Sequence, residues 1–314
     1  MMKAIRLHTR GGAEQLAYEE APQPALRPGD ALVRVLASGL TRNELDWGPT
    51  YTDEQGNSRL PSIPGHELCG VVESITPGVT EVAPGDVVYG LTSFFRDGTA
   101  AEYVAVRAAD LAPKPRVMSA LEAATVPLAG LTAWQALFDH GDVAAGQRVL
   151  VHGAAGGVGN FAIQLAKWRG AQVIGGTSAA NISFVKDLGA HEAIDYAAGN
   201  FEATIEPVDL ILDTIGGEIQ RRSWSLLKPG GVLVSIAGEG IEVPADVRDR
   251  RGLFFIVKAD RQELIKIGQL IDDGRVKTVI AAVVPLERAR EAFDELVQSN
   301  KRGKVVLNVS PATL

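Results

Sequence analysis

Residues 148–177 join an apolar stretch, a glycine-rich turn, a helical pattern and a second apolar stretch. The turn reads Gly153-Ala-Ala-Gly-Gly-Val-Gly159. Val158, Phe161, Ala162 and Leu165 follow at helical spacing, and Gly170 stands where that helix should stop. A chain that alternates strand, tight turn, helix and strand in this way is a βαβ unit. Glycines at 153, 156 and 159 let the backbone turn sharply and approach an anion resting on the first turn of the helix, which is how such units hold the pyrophosphate of a dinucleotide. A tight turn with no ligand is the alternative.

Around that unit the chain changes texture. Residues 1–110 carry strands and turns with little helical period: 31–37, 68–75 and 87–91 are apolar and β-branched, and Pro-Gly pairs at 28–29, 77–78 and 84–85 supply turns. This segment reads as a β-barrel-like unit. From about 119 onward, strands are expected at 148–153, 171–176, 191–195, 208–213, 231–237 and 253–257, with helical patterns between most of them. Six strands in that rhythm make a doubly wound parallel sheet. Helical stretches near 260–273 and 286–299 then flank an apolar run at 279–284. Residues 303–309 close as a strand able to return to the first unit.

Composition narrows the partners. The 314 residues carry a net charge of −7, with no run of Lys or Arg, which argues against a nucleic-acid surface and for small molecules. Hydrophobic residues make up 46 %, and no apolar run approaches the length of a membrane span. The first eight residues are too polar for a signal peptide. One cysteine, Cys69, excludes an internal disulfide and any multi-cysteine zinc module, reads as a small buried hydrophobe, and fits a reducing, cytoplasmic setting.

Several phrases together resemble the medium-chain dehydrogenase/reductase superfamily, and within it the zinc-free, zeta-crystallin-like NADPH:quinone oxidoreductase branch. They are Pro64-Gly-His-Glu67 with Gly70-Val-Val72, Val82-Ala-Pro-Gly-Asp86, Ala100-Ala-Glu-Tyr-Val104, Ala129-Gly-Leu-Thr-Ala-Trp134, the 153–159 turn, Leu188-Gly-Ala190 with Ile194-Asp-Tyr196, and Gly303-Lys-Val-Val306. They stand in the family's order over nearly the whole chain. The resemblance implies an α/β protein with a GroES-like β-barrel catalytic domain (1–118 and 258–314) and a six-stranded Rossmann NADP-binding domain (119–257). It also implies a cleft between them and a homodimer through the Rossmann edge strand.

Catalytic zinc takes three protein ligands and an open position. In zinc-dependent relatives these are a cysteine, the histidine of Gly-His-Glu, and a Cys or Asp before the Rossmann domain. Here the positions hold Thr41, His66 and Leu128. One imidazole cannot hold zinc, so no metal is expected and His66 is expected to be structural or to line the cleft. Without a Lewis acid, reduction of quinones or activated C=C bonds is the easier chemistry, because those acceptors spread the incoming charge.

The end of the second Rossmann strand carries no acidic residue to hold the ribose hydroxyls of NADH. Thr177, Ser178 and Asn181 offer neutral donors instead, which favours NADPH, and each reads about equally as a loop cap. The resemblance adds Tyr196 at the 2′-phosphate, and Ala180 departs from it by standing where relatives carry Arg or Lys. It further implies cofactor contacts from Thr132, Gly153, Gly156, Gly157, Val158, Ile215, Ala237 and Lys304. Phe255 and Val257 read either as carboxamide neighbours or as core of an edge strand. A substrate pocket would draw on Thr41, Asn43, Glu44, Trp47, Tyr51 and His66. Tyr51 is either a proton donor or an exposed aromatic in a polar loop. An enoyl-thioester or alkenal reductase and a nucleotide-binding protein without turnover stand as the alternatives to a quinone reductase.

Overall fold

The computed structural model describes residues 1–238, 241, 243–296 and 300–310. Its first third is organised by one long strand. An antiparallel hairpin, Met2–Leu7 (β1) and Leu16–Ala21 (β2), leads into β3 (Asp30–Leu40), followed by β4 (Glu67–Ile75), β5 (Val87–Leu91), β6 (Tyr103–Arg107) and β7 (Leu111–Pro113). Irregular register between β3 and β4, at Leu32/Val33 and Val35/Ala37, bends β3 as bulges do. The bent strand pairs with β4, with β6 at its start, and at its end with a strand from the far end of the chain. Gly29, Gly78 and Gly85, the second residues of the Pro-Gly pairs, all take positive φ, as the turns require.

The second sheet is parallel throughout. It comprises β8 (Arg148–His152), β9 (Gln172–Thr177), β10 (Glu192–Asp195), β11 (Val208–Asp213), β12 (Leu227–Ser235) and β13 (Arg251–Phe254), in the spatial order β10-β9-β8-β11-β12-β13. This order reverses direction at β8, and the crevice at the strands' C-terminal ends beside β8 is where such sheets take their ligands. Helices cover the sheet, so its central strands are buried at nearly every position, with apolar runs at 149–151 and 210–212. The helix Gly157–Trp168 buries Phe161, Ala162 and Leu165, and stops at Gly170 with the Ala171 N–H bonded to the Ala166 carbonyl. Strand edges differ from the sequence expectation: β12 begins four residues earlier than expected, and β13 ends at Phe254, so Phe255 and Val257 lie beyond it.

After β13 the chain forms the helix Arg261–Asp272, then β14 (Ile280–Pro285), the helix Ala289–Leu296 and β15 (Lys304–Asn308). The expected helix over 286–299 ends at Leu296, and positions 297–299 lie outside the described residues. β14 and β15 pair in parallel, and β15 runs antiparallel to β3, with Val305 opposite Leu40. The end of the chain thus completes the sheet begun by β3. Among the described residues no helix is long and apolar enough to cross a membrane.

One hydrophobic cluster runs through both sheets: Ala37, Cys69, Tyr89 and Leu91 share it with Leu131, Phe161, Leu165 and Leu212. The buried Tyr89 hydroxyl donates to the Leu264 carbonyl at 2.5 Å, tying β5 to the helix Arg261–Asp272. Tyr89→Phe should lower stability by about 1–2 kcal/mol, since it removes that bond and keeps the ring. Chemical denaturation with an unchanged m-value is the check; no loss would mean the bond is not what joins these elements.

Candidate active site

The glycine turn is shaped by contacts that a side chain would break. Gly153 has φ +67°, and a Cβ there would lie 2.2 Å from Thr214 Oγ1. At Gly159 a Cβ would lie 2.2 Å from the Gly153 carbonyl oxygen, so this glycine lets the helix sit against the turn. Gly156 differs. It is the residue capping the helix Gly157–Trp168, and a Cβ on it would meet only the Gly153 oxygen, at 3.2 Å. The space over Gly156 is therefore open, at the end of a twelve-residue helix whose first N–H groups lack helical partners. Over Gly157 lies the Lys304 stem, whose Cδ would stand 2.8 Å from an added Cβ. The Gly303 N–H, bonded to the Ala155 carbonyl at 2.9 Å, holds that lysine's segment against the turn.

From there Lys304 reaches into the other sheet. Its Nζ donates to Thr41 Oγ1 at 2.9 Å and forms an ion pair with Glu67 Oε1 at 2.5 Å, with side chains only 6 % and 0 % exposed. The second Glu67 oxygen accepts the Leu128 N–H at 2.9 Å, where the helix Pro127–Trp134 begins. A carboxylate at that end is favoured by the unsatisfied amides there. Gly39 makes room for it, since a Cβ would lie 2.6 Å from Glu67 Oε1. Glu44, wholly buried, accepts the Thr41 N–H through Oε2, and its Oε1 has no hydrogen-bond partner among the described residues. Burial pushes the Glu44 carboxyl up to about 8. The Thr41 N–H and Lys304 act against that shift, and Glu67 adds to it. At neutral pH Glu44 is therefore a carboxylic acid beside the Lys304–Glu67 ion pair.

His66 lies beside this cluster in an aromatic box. Its ring stacks on Trp47 with centroids 5.7 Å apart and meets the Phe94 edge at 4.8 Å. Neither ring nitrogen has a hydrogen-bond partner among the described residues, and burial, with Arg59 nearby, drives its pKa down to about 3. The imidazole is neutral. Tyr51 corrects the sequence reading: it is buried, and its hydroxyl donates to the Leu45 carbonyl at 2.5 Å with the Gly11 carbonyl at 3.1 Å, so it is no exposed aromatic and its proton is committed to the backbone. The polar composition of its loop concealed that anchoring role. Asn43, exposed, takes φ +64° in the same loop.

The remaining candidates line the C-terminal edge of the parallel sheet. Thr132 is buried, with its hydroxyl hydrogen given to the Leu128 carbonyl at 2.6 Å. Val158 is half-buried behind the turn, and Ile215 and Ala237 are exposed at the ends of β11 and β12. Phe255 packs on the His140 ring at 4.5 Å, while Val257 belongs to the apolar core. Thr177 is buried at the end of β9, and the half-buried Tyr196 donates its N–H to the Thr177 carbonyl. Ser178 and Asn181 bond instead to the segment before β15: Ser178 Oγ to Asn300 Oδ1 at 2.7 Å, and Asn181 Nδ2 to the Asn300 carbonyl at 3.3 Å. Two participants were missed from sequence, Glu67 as the lysine's partner and Phe94 as a wall of the box. The Gly-His-Glu phrase pointed to the first; nothing in the local pattern pointed to the second.

Comparison with known proteins agrees with this architecture. Residues 27–116 match the alcohol dehydrogenase GroES-like domain, and residues 188–307 match the zinc-binding dehydrogenase family. An Arthroderma benhamiae protein named "Probable zinc-binding oxidoreductase, mitochondrial" is 35 % identical, over 94 % of this chain and 92 % of its own. The chain belongs to the medium-chain dehydrogenase/reductase superfamily. An Arabidopsis thaliana member named as a chloroplastic NADPH-dependent alkenal/one oxidoreductase is 32 % identical, over 99 % of this chain and 80 % of its own. Among solved members, the quinone oxidoreductase of Coxiella burnetii superposes with a TM-score of 0.89 at 33 % identity, covering 98 % of this chain and 99 % of that one.

Zinc, which some names in this superfamily carry, does not fit the residues present. Thr41 accepts the Lys304 ammonium, Leu128 offers a backbone N–H to Glu67, and His66 is enclosed by Trp47 and Phe94. Among the described residues no three His, Cys, Asp or Glu side chains are grouped as metal ligands. A dication would also meet the ammonium already seated there. A dinucleotide does fit, because Gly156 leaves open the cradle that a Cβ would fill.

Two outcomes follow from these geometries. Gly156→Val should fold with little loss of stability and lose dinucleotide binding. Gly159→Val should cost about 1–3 kcal/mol or fail to fold, because its clash is with backbone. Thermal melts paired with fluorescence titration separate them, and a folded Gly156→Val protein with unchanged affinity would place the dinucleotide elsewhere. The second concerns Glu44. Its carboxyl ionises near the ordinary 4.5 when unfolded and near 8 when folded, so between those values the folded state holds the extra proton and rising pH favours unfolding. Glu44→Gln should remove that slope, narrowing the change in stability between pH 5 and 8 by at least about 1 kcal/mol. Parallel slopes for the two proteins would contradict the buried acid.

Proposed function

We propose that this chain is a zinc-independent, NADPH-dependent oxidoreductase that reduces quinones or activated C=C bonds by hydride transfer. The observation that carries the reading is the Lys304 ammonium held by Thr41 and Glu67, which puts a fixed protein cation where a metal-dependent relative needs metal ligands. The open cradle at Gly156 and the absence of an acidic residue from 177 to 181 support the cofactor. When bound, the nicotinamide supplies the hydride. The protein's own groups then have three tasks. The helix end at Gly157 and Val158 holds the pyrophosphate through backbone N–H groups. Trp47, Phe94 and the neutral His66 form an apolar wall that suits a flat, conjugated acceptor and excludes water. The Lys304 ammonium, oriented by Glu67 and Thr41, is positioned to favour negative charge developing on an acceptor oxygen.

The wider frame of the proposal is a catalytic unit of residues 1–118 and 258–314 around a Rossmann unit of 119–257. The edge strand β13, with Ile256 60 % exposed just beyond it, supports a homodimer through that edge. Buried Cys69, its thiol pushed up to about 12 by burial, is compatible with a cytoplasmic setting.

Following NADPH oxidation at constant NADPH with a set of benzoquinones, naphthoquinones, enals and enoyl thioesters tests the reading. Turnover is expected with quinones or enals and not with simple ketones. Turnover confined to enoyl thioesters would replace the proposed substrate class, and none at all despite tight NADPH binding would make the protein a binder.

A further inference from the structure

The loop after β9 lacks a cation of its own, for Ala180 stands where a positive side chain would be expected beside a 2′-phosphate. The structure brings one in from 122 positions along the chain. Arg302 Nη2 donates to the Ala180 carbonyl at 3.1 Å, and Nε donates to Asn181 Oδ1 at 2.8 Å. Its guanidinium lies over the Phe184 ring, 4.9 Å from the centroid. Asn300, at φ +58°, turns the segment so that it also receives Ser178 Oγ and Asn181 Nδ2. Three partners therefore fix Arg302 on the loop, and all three are neutral. Among the described residues no carboxylate pairs with it, and Nη1 makes no hydrogen bond.

The surroundings carry more positive charge than they need for themselves. Lys301, half-buried, gives its ammonium to the Gly303 carbonyl at 3.0 Å, and its pKa falls to about 8, first through burial and then through repulsion by Lys304 and Arg42. Lys304 has Glu67, but half-buried Lys301 and exposed Arg302 have no carboxylate partner among the described residues, and an anion seated beside them would be favoured. The rim lies at the C-terminal end of β9, on the side of the sheet where a dinucleotide resting on the glycine turn presents its adenosine ribose.

We infer that Arg302, assisted by Lys301, is the specificity-determining group that binds the 2′-phosphate of NADPH, replacing in space the cation that position 180 lacks in sequence. This inference rests on the NADPH reading above. A guanidinium held edge-on by neutral acceptors offers its free N–H groups to phosphate oxygens in the bidentate manner that suits arginine, whereas NADH presents nothing there for it to bond.

Dissociation constants of NADPH and NADH, measured by fluorescence titration for wild type, Arg302→Ala and Arg302→Lys, test it without reliance on turnover. Wild type should prefer NADPH. Arg302→Ala should weaken NADPH ten- to a hundredfold, as expected for a lost charge-assisted bond, with NADH changed less than about twofold. Arg302→Lys should recover part of the loss, and adenosine 2′-phosphate should compete with NADPH on wild type better than adenosine 5′-phosphate does. A wild type that binds NADH at least as tightly as NADPH would overturn the cofactor reading itself. A wild type that prefers NADPH, with an Arg302→Ala variant weakened equally for both nucleotides or for neither, would overturn this inference alone.

Discussion

The buried ion pair of Lys304 and Glu67 is the contact on which the rest of the site depends. It is made by residues far apart in sequence, on β15 and β4, and it sits where the first sheet meets the glycine turn of the second. Breaking one half of such a pair leaves an uncompensated charge in a poorly solvated place, a far larger penalty than an exposed pair would incur. The pair is satisfied on both sides: the lysine reaches Thr41 as well, and the carboxylate accepts the Leu128 N–H. The position of the helix Pro127–Trp134, the course of the loop from Thr41 to His66 and the closure of β15 on β3 are thereby coupled through one ammonium.

That coupling explains why the chain's last strand matters to the proposed cofactor site at residues 153–181. The Gly303 N–H bonds to Ala155 and the Lys304 stem covers Gly157, while Asn300 and Arg302 bond the loop that follows β9. One short segment therefore touches both ends of the stretch that would receive a dinucleotide, and its neighbour Lys304 touches the charge cluster beside the aromatic box. Binding at the nucleotide rim and electrostatics near the acceptor are connected by about five residues of chain.

Much of this was legible in the sequence. The six parallel strands and the glycine turn follow from hydrophobic periodicity and glycine spacing, because β8 and β11 are buried on both faces and carry apolar runs at 149–151 and 210–212. The Pro-Gly pairs announced the turns of the first sheet. Strand ends were read less well: β13 stops at Phe254 because the chain leaves the edge of the sheet there, although Phe255 and Val257 continue an apolar alternation. Tyr51 was misread since a polar loop hides an inward anchor, and hydrogen bonds to backbone carbonyls leave no mark on composition. Glu67 with Lys304, and Arg302 with Asn181, were beyond local pattern altogether. Each joins residues more than a hundred positions apart, and only the fold brings them together.

The central claim is that a protein ammonium, and no metal, provides the fixed positive charge of this site. Elemental analysis of the purified protein, coupled to NADPH-dependent turnover before and after prolonged treatment with a strong chelator, tests it most directly. The account predicts zinc well below one equivalent per chain and turnover unchanged by the chelator. One equivalent of zinc, lost together with activity and restored with it, would contradict the account.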